Sequence, residues 1–302
     1  MTNSVLVTGG SGMIGSRLTE LLLQKGCRVS HLSRSRRTGA VPSFVWDVQG
    51  GTMDEQALAG VDTLVHLAGA GIADKRWTKS RKNEILQSRI RSTALLVEQL
   101  SKGDHAVKSV VCASAIGYYG SGGADEVFTE SDGPGNDFLA SVVAAWEEET
   151  SRFESLGLRV VKLRVGIVLS NSGGALKEIA RPVRWFVGAP LGTGQQLISW
   201  IHVDDVCRLF AEAIENISMQ GVYNGTAPNP VTNRVLTESI ARAMNRKIWL
   251  PPIPGFMLYF ILGELADAVL KGSLVSSQKI QKTGFTFRFP GLGSALNDLL
   301  KR

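Results

Sequence analysis

The sequence predicts an α/β protein: a doubly wound parallel sheet carrying a small, mostly helical C-terminal lobe. Three observations carry that expectation. Strand-like apolar runs alternate with amphipathic helical stretches from the first residues onward, the pattern of a parallel sheet covered by helices on both faces. A glycine cluster, TGGSGMIG over Thr8–Gly15, joins the first strand to the first helix. The alternation loosens after about Ser170, and from Pro251 the chain reads as short helices.

Taken in order, strands are expected at Ser4–Thr8, Arg28–Ser33, Ser43–Trp46, Asp62–Leu67, Val107–Ala113 and Arg159–Val168. Amphipathic helices are expected at Thr78–Leu100 and Asp137–Ser155. Right-handed crossovers then place a ligand at the carboxyl ends of the strands. Beyond Ser170 the chain reads as helix, loop and short strand, with Asp204 or Asp205 capping the next helix and Thr232 capping one that runs through Met244. The segment GFMLYFILGELADAVL, Gly255 to Leu270, has too short an uninterrupted apolar run to span a membrane, and Glu264 and Asp267 follow it. An amphipathic helix packed on the body is expected there.

The composition is that of a globular chain able to bury its own core: 302 residues, 44% apolar and 20% charged. Cys27, Cys112 and Cys207 are far apart and form no CxxC pair, and two of them lie in apolar, strand-like runs, which reads as buried thiols in a reducing cytosol. The first strand starts a few residues after Met1, so a cytoplasmic protein is expected. The formal charge of +6 is dispersed apart from clusters near Arg34 and over Lys75–Lys82. With no stripe of Lys or Arg interleaved with aromatics, neither nucleic acid nor a membrane is the expected partner; a small molecule is. No His, Cys or carboxylate spacing suggests a metal. Substrate identity and oligomeric state are not encoded in any of these patterns.

Gly9, Gly12 and Gly15 make a GxxGxxG spacing between an apolar strand and a helix whose apolar face is Leu18, Leu21 and Leu22. Glycine permits the tight turn and lets the backbone approach a pyrophosphate. The helix amino end supplies unpaired N–H groups and a positive dipole. The end of the second strand selects the cofactor. A reader of the NAD ribose places Asp or Glu about 20 residues beyond the first glycines, whereas here stand Ser33, Arg34, Arg36 and Arg37, with no acidic residue between Leu21 and Trp46. Guanidinium groups and a hydroxyl suit a 2′-phosphate, so NADP(H) is the expected cofactor. Leu67, Ala68 and Gly69, small residues after the fourth strand, are the candidates beside its adenosine half.

These motifs, together with CASAIGYYG, LRVGIVLS and WIHVDDV, resemble the short-chain dehydrogenase/reductase superfamily in its extended or atypical branch. The stretches ADKRW…SR (Ala73–Arg89), YNGTAPNPVTN and Gly284–Pro290 narrow the resemblance to the nucleoside-diphosphate-sugar epimerase-like subgroup, which has a small C-terminal domain of its own. The resemblance implies an NADP-binding Rossmann domain over residues 1–230, contributing part of a substrate pocket from 170–200, and a C-terminal lobe over residues 231–302. It further implies cofactor contacts at Gly9, Gly12, Met13, Ile14 and Gly15, at Ser33 and Arg34, at Leu67, Ala68 and Gly69, and at Val168 near the nicotinamide. Arg89 stands where relatives often have Asn and is expected to reach the phosphates, with Glu84 orienting it or touching a ribose; an ordinary surface pair is the competing reading.

Chemistry is the open point. Carbonyl–alcohol exchange in this superfamily combines Ser or Thr with a Tyr-x-x-x-Lys pair, in which lysine lowers the tyrosine pKa. Ser114 matches the serine, but no tyrosine has lysine four residues on, and Leu139 and Val143 fall near the expected positions if Glu147 marks the usual acid. Two expectations remain. Either Tyr118 or Tyr119 takes over beside Ser114, with Arg164 or Lys162 adjusting its pKa, giving an NADP(H)-dependent oxidoreductase or epimerase-like enzyme acting on a small hydroxyl or carbonyl compound. Or the chain binds NADP(H) as a regulatory or structural protein without ordinary dehydrogenase chemistry. His202 is read as a capping or packing residue, and Trp77, Trp200 and the Gly188–Gln196 loop as candidates to border a pocket.

Overall fold

The computed structural model describes residues 3–36, 38–103, 105–123 and 126–301. Its first unit is a strand, β1 (Ser4–Thr8), followed by α1 (Met13–Gln24) and β2 (Arg28–Ser33). β3 (Ser43–Asp47) and the short β4 (Thr52–Met53) precede β5 (Thr63–His66), the long α2 (Lys79–Ser101) and β6 (Ser109–Ala115). Then come β7 (Val127–Phe128), α3 (Phe138–Ser151), β8 (Arg159–Val165), β9 (Ile167–Leu169) and α4 (Gly174–Arg184). The chain continues through β10 (Leu197–Ile198), β11 (Trp200–His202), α5 (Val203–Glu215), β12 (Gly221–Gly225), β13 (Val231–Thr232) and α6 (Asn233–Ala243). It ends with α7 (Gly255–Leu262), α8 (Leu265–Leu270), β14 (Leu274–Val275), α9 (Gln278–Gln281) and α10 (Leu292–Leu300).

The main sheet has the order β12-β8-β6-β5-β1-β2-β3-β4, parallel throughout except for the β3–β4 pair. The chain leaves β1 toward β2 on one side and returns to its other side at β5, so the order reverses between these two strands. That reversal opens a crevice at their carboxyl ends, the place where a doubly wound sheet takes its ligand. β1 reads as continuous apolar sequence because both of its faces are covered. Val5 and Val7 join one cluster with Leu18 and Leu22 of α1 and Phe210 of α5, while Leu6 joins the opposite cluster with Leu95 and Leu96 of α2.

The expected strand Arg159–Val168 is two strands. Gly166 interrupts it, and a β-carbon there would lie 2.4 Å from the Ser199 carbonyl oxygen. This close approach turns the chain out of the main sheet, and β9 pairs with β11 instead. The helix expected over Asp137–Ser155 ends at Ser151, with Asp137 as its cap: the carboxylate accepts the Ala140 amide at 2.8 Å. Thr232 caps α6 as expected from sequence, accepting the Val235 amide. The expectation for Asp204 is corrected. His202 caps α5, its Nδ1 accepting the Asp204 amide at 3.0 Å, while the Asp204 carboxylate turns to Arg17 at 2.7 Å. Asp205 is fully buried and accepts the amides of Arg288 and Phe289.

Residue 230 marks a change of element type more than a break in packing. One apolar cluster holds Val5 and Val7 together with Leu236, Ile240, Phe285 and Leu296. β13 pairs with β10, and β14 with β7, across that point. The segment 255–270 is not the single amphipathic helix expected. Gly263, at φ +62°, divides it, and only its second half, with Leu265 and Ala266, is buried as a helix face. No helix among the described residues is long and apolar enough to cross a membrane.

Candidate functional site

The crevice is built around the glycine turn. Gly9 has φ +69°, and a β-carbon on it would meet the Leu67 carbonyl group at 3.0 Å. On Gly15 it would lie 2.2 Å from the Gly9 oxygen, so α1 rests directly against the turn. Gly12 precedes α1 without a side-chain cap, and the first turn holds no acidic residue. The amides of Met13, Ile14 and Gly15 are thus presented to an incoming anion with the positive end of the helix dipole behind them. A diphosphate suits the amides so presented, and a side chain at Gly9 or Gly15 would force the turn away from Leu67 or from α1.

The facing wall is held by residues that sequence reasoning passed over. Thr8 Oγ1 accepts the amides of Leu67 and Ala68 at 3.1 and 3.2 Å and lies 2.7 Å from His66 Nδ1. His66 Nε2 lies 3.1 Å from Thr93 Oγ1, which donates to the Arg89 carbonyl at 2.8 Å. Donor counting assigns the tautomer: Thr93 spends its proton on a carbonyl, so His66 donates from Nε2 and accepts from Thr8 at Nδ1. His66 is completely buried, and burial, reinforced by the Arg89 charge, pushes its pKa down to about 3. It is a neutral strut.

Arg89 lies behind Gly69, where a β-carbon would come within 3.3 Å of its guanidinium carbon. Nη1 donates to the carbonyls of Ala70 at 3.1 Å and Ile85 at 2.8 Å, and the group stacks over Trp146. Arg89 therefore holds the loop after β5. Burial lowers its pKa to about 10, with the Arg81 charge adding to the effect. Glu84 does not orient Arg89. Three residues from Arg81, it accepts from Arg81 Nη1 at 2.7 Å and is exposed.

At the end of β2, Ser33 Oγ donates to the Ser35 carbonyl at 2.6 Å. Arg34 and Arg36 are exposed and form no ion pair with a described residue; Arg37 lies outside the described residues. Val168 sits in β9 opposite Ile201, and its carbonyl lies across from Gly174, beside which the Met13 side chain packs. An open cavity of about 460 Å³ runs along this side, lined by Gly12, Met13, Arg17, Ser172 and His202 among others. His202 caps and packs at once, its ring stacking on Phe289 with centroids 3.9 Å apart. Trp77 and Trp200 are buried, Trp200 completely, so both are core residues.

The candidate acid/base residues meet in one buried network. Ser114 Oγ donates to Glu147 Oε1 at 2.5 Å. Arg164 clamps that carboxylate through Nε and Nη2, both at 2.8 Å. Its Nη1 donates to the Tyr119 hydroxyl at 2.9 Å, which in turn donates to Asn224 Oδ1 at 2.7 Å. Tyr119, expected as a proton-exchanging group, is 2% exposed and stacks on Phe128; burial outweighs Arg164 and raises its pKa. Ser114, expected as the catalytic serine, is 4% exposed and faces Glu147. Its neighbours Ala113 and Ala115, on the other face of the strand, bear no hydroxyl. Leu139 and Val143 of α3 pack beside Gly117, where they would touch a β-carbon at 3.5 and 4.0 Å. Tyr118 differs: half-buried, it lies under the Arg164 guanidinium, 3.4 Å from the ring centroid, and its hydroxyl makes no hydrogen bond with a described residue.

A strand, glycine turn and uncapped helix at the reversal point of a parallel sheet are the arrangement of a dinucleotide-binding, Rossmann-type protein. The chain belongs to the NAD dependent epimerase/dehydratase family, whose model matches residues 5–224. Residues 253–299 match a second model, the Domain of unknown function (DUF1731). The epimerase family protein YfhF of Bacillus subtilis (strain 168) is 36% identical over 300 residues, covering 98% of each chain. A crystal structure of human epimerase family protein SDR39U1 (isoform2) with NADPH is similar at a TM-score of 0.88 and 30% identity over 99% of each chain. MoeE5 in complex with UDP-glucose and NAD is similar at a TM-score of 0.79 and 25% identity, over 99% of this chain and 98% of that one.

Proposed function

We propose that this protein binds NADP(H) in the crevice between β1 and β5, and that the site holds the cofactor without tyrosine-based exchange between alcohol and carbonyl. Preference for NADP(H) over NAD(H) rests on Arg34 and Arg36, cations without a carboxylate partner among the described residues at the end of β2. The NADPH in the human SDR39U1 structure supports the same choice. When bound, the nicotinamide supplies or accepts hydride; a proton must move in the same turnover, and this chain offers little to move it. One observation carries the reading. Leu139 and Val143, both apolar, pack beside Gly117 at the positions expected of the tyrosine and lysine, while Ser114 and Tyr119 spend their protons inside the Glu147–Arg164–Asn224 network.

The test pairs binding with turnover. Titration of NADPH, followed by its fluorescence, is expected to saturate. Absorbance of reduced nicotinamide is expected to stay constant with any of a panel of carbonyl compounds and sugar nucleotides. Saturable oxidation with one of them overturns the reading.

Tyr118 favours a second reading, in which the protein is an NADP(H)-dependent oxidoreductase or epimerase-like enzyme acting on a small hydroxyl or carbonyl compound. Its hydroxyl is unengaged among the described residues, and a cation lies on its ring. In that reading Tyr118→Phe abolishes the turnover seen with the intact chain and leaves NADPH affinity unchanged; retained turnover removes Tyr118 from the reaction.

A further inference from the structure

Helix α7 presents apolar side chains to solvent. Of GFMLYFIL only Leu258 is buried; Phe256, Met257, Tyr259, Phe260 and Ile261 are exposed, Phe260 by 84%. A second exposed cluster lies at the end of α4, where Trp185, Phe186 and Val187 project, with Trp249 beside them. Trp249 Nε1 donates to the Phe186 carbonyl at 2.8 Å. Phe186 has φ +62°, a left-handed conformation that costs a bulky residue energy, and its ring lies under the Arg246 guanidinium. The two clusters are joined through Ile253, which exchanges backbone hydrogen bonds with Pro190 and Gly192 just before α7 begins. Exposed apolar surface of this extent marks a contact site in a folded protein.

Charge identifies the occupant. The residues next to the exposed aromatics are basic: Arg181 and Arg184 precede Trp185, and Arg246 and Lys247 precede Trp249, with Arg242 one turn before Arg246; the acids on α4 and α6 are Glu178 and Glu238. None of these cations forms an ion pair with a described residue. The acids that follow α7 are already neutralised, Glu264 by Lys82 and Asp267 by Lys271. A two-fold contact with a second copy would set the same five cations against each other. Exposed aromatic and aliphatic side chains with Arg and Lys beside them in the sequence match the boundary of an anionic bilayer, where the apolar face enters the acyl region and the cations meet phosphate.

We propose that the face formed by α7, Trp185–Val187 and Trp249 is a peripheral docking site for a membrane surface rich in anionic phospholipid. The chain would lie on the bilayer, not across it.

The experiment is co-sedimentation of the full chain with vesicles of phosphatidylcholine alone, and of phosphatidylcholine mixed with phosphatidylglycerol. Binding is expected only to the anionic vesicles, with a shift of tryptophan emission to shorter wavelength and weakening as salt is raised. Phe256→Glu with Phe260→Glu is expected to lower partitioning by roughly tenfold or more by removing apolar anchors and adding repulsion. Arg184→Glu with Lys247→Glu should lower it on the anionic vesicles as well. All four positions are exposed, and unchanged thermal unfolding confirms that the variants fold; Trp249→Ser repeats the test at an independent position. Three outcomes overturn the proposal: no binding to anionic vesicles, equal partitioning of the apolar variants, or a dimer in sedimentation velocity that those variants dissolve. The last result would assign the face to a second copy, and selective capture of an acidic protein without vesicle binding would assign it to that partner.

Discussion

A β-carbon at Gly15 has nowhere to go, because the Gly9 oxygen occupies its position at 2.2 Å and the obstacle is backbone on both sides. Gly15→Ala should therefore abolish NADPH binding and lower the thermal midpoint, whereas Gly12→Ala, with its nearest contact at 3.3 Å, should weaken binding without removing it. Calorimetric titration of both variants checks this order; equal loss in the two would mean that close packing of α1 on the turn is not what the glycines provide. Arg34 is expected to act through charge. Removing a charge-assisted hydrogen bond to phosphate costs about 1.5–3 kcal/mol, so Arg34→Ala should weaken NADPH by roughly tenfold to a hundredfold and leave NADH nearly unaffected. Equal losses for the two cofactors would remove the 2′-phosphate role. The glycine turn was legible in the sequence because its geometry depends on spacing within one βαβ unit. Among the partners of Ser114 and Tyr119, Arg164 is one of two cations the sequence offers to a tyrosine, but Glu147 and Asn224 were not legible as partners: they lie 33 residues from Ser114 and 105 from Tyr119, and only the fold brings the network together.

Elements follow the same division between local and distant causes. β1 and β2 span the residues expected of them, and Asp137 and Thr232 cap their helices because capping is settled within four residues. The break of Arg159–Val168 at Gly166 depends on the carbonyl of Ser199, and the exposure of α7 on what packs beside it, so neither could be read from its own residues. The Glu147–Arg164 pair ties α3 to β8 and, through Tyr119 and Asn224, to β12. Leaving one member of a buried pair without its partner costs about 3–5 kcal/mol; a lost hydroxyl that strands a hydrogen-bonding group costs about 1–3 kcal/mol. Arg164→Met should accordingly shift the denaturant midpoint more than Tyr119→Phe, and Tyr119→Phe should leave NADPH affinity unchanged. A large affinity loss in Tyr119→Phe would place that hydroxyl in the cofactor site after all.

Across the whole molecule, stability in acid is expected to depend on buried histidine. His66 links β1, β5 and α2 through Thr8 and Thr93, and its proton-accepting Nδ1 is taken by the Thr8 hydroxyl. In the folded chain its pKa is held at about 3 by burial, first, and by the Arg89 charge, against an ordinary value of 6.5. Between those values the unfolded chain binds one more proton than the folded one. The stability contributed by neutral His66 is thus fully present above about pH 6.5 and is lost as pH falls, at up to about 1.4 kcal/mol per pH unit. His202, whose pKa burial also lowers, contributes with the same sign. His66→Gln removes the titrating group while keeping a hydrogen-bonding side chain, so unfolding free energy measured by denaturant should fall less steeply between about pH 6 and pH 4 in the variant than in the parent, whatever its level at neutral pH. Parallel curves would show that the acid sensitivity in that range arises elsewhere; Asp204 would not be its source, because a lowered pKa makes its contribution disappear only as pH falls below the ordinary carboxylate range. Because His66 stays neutral in the folded chain until about pH 3, the wall it supports through Thr8 and the amides of Leu67 and Ala68 keeps its form between about pH 6 and pH 4. The pH dependence of NADPH affinity over that range should therefore be the same in the parent and in His66→Gln. A steeper loss of affinity in the parent than in His66→Gln would mean that His66 takes up a proton within the folded chain, against the burial that holds its pKa down.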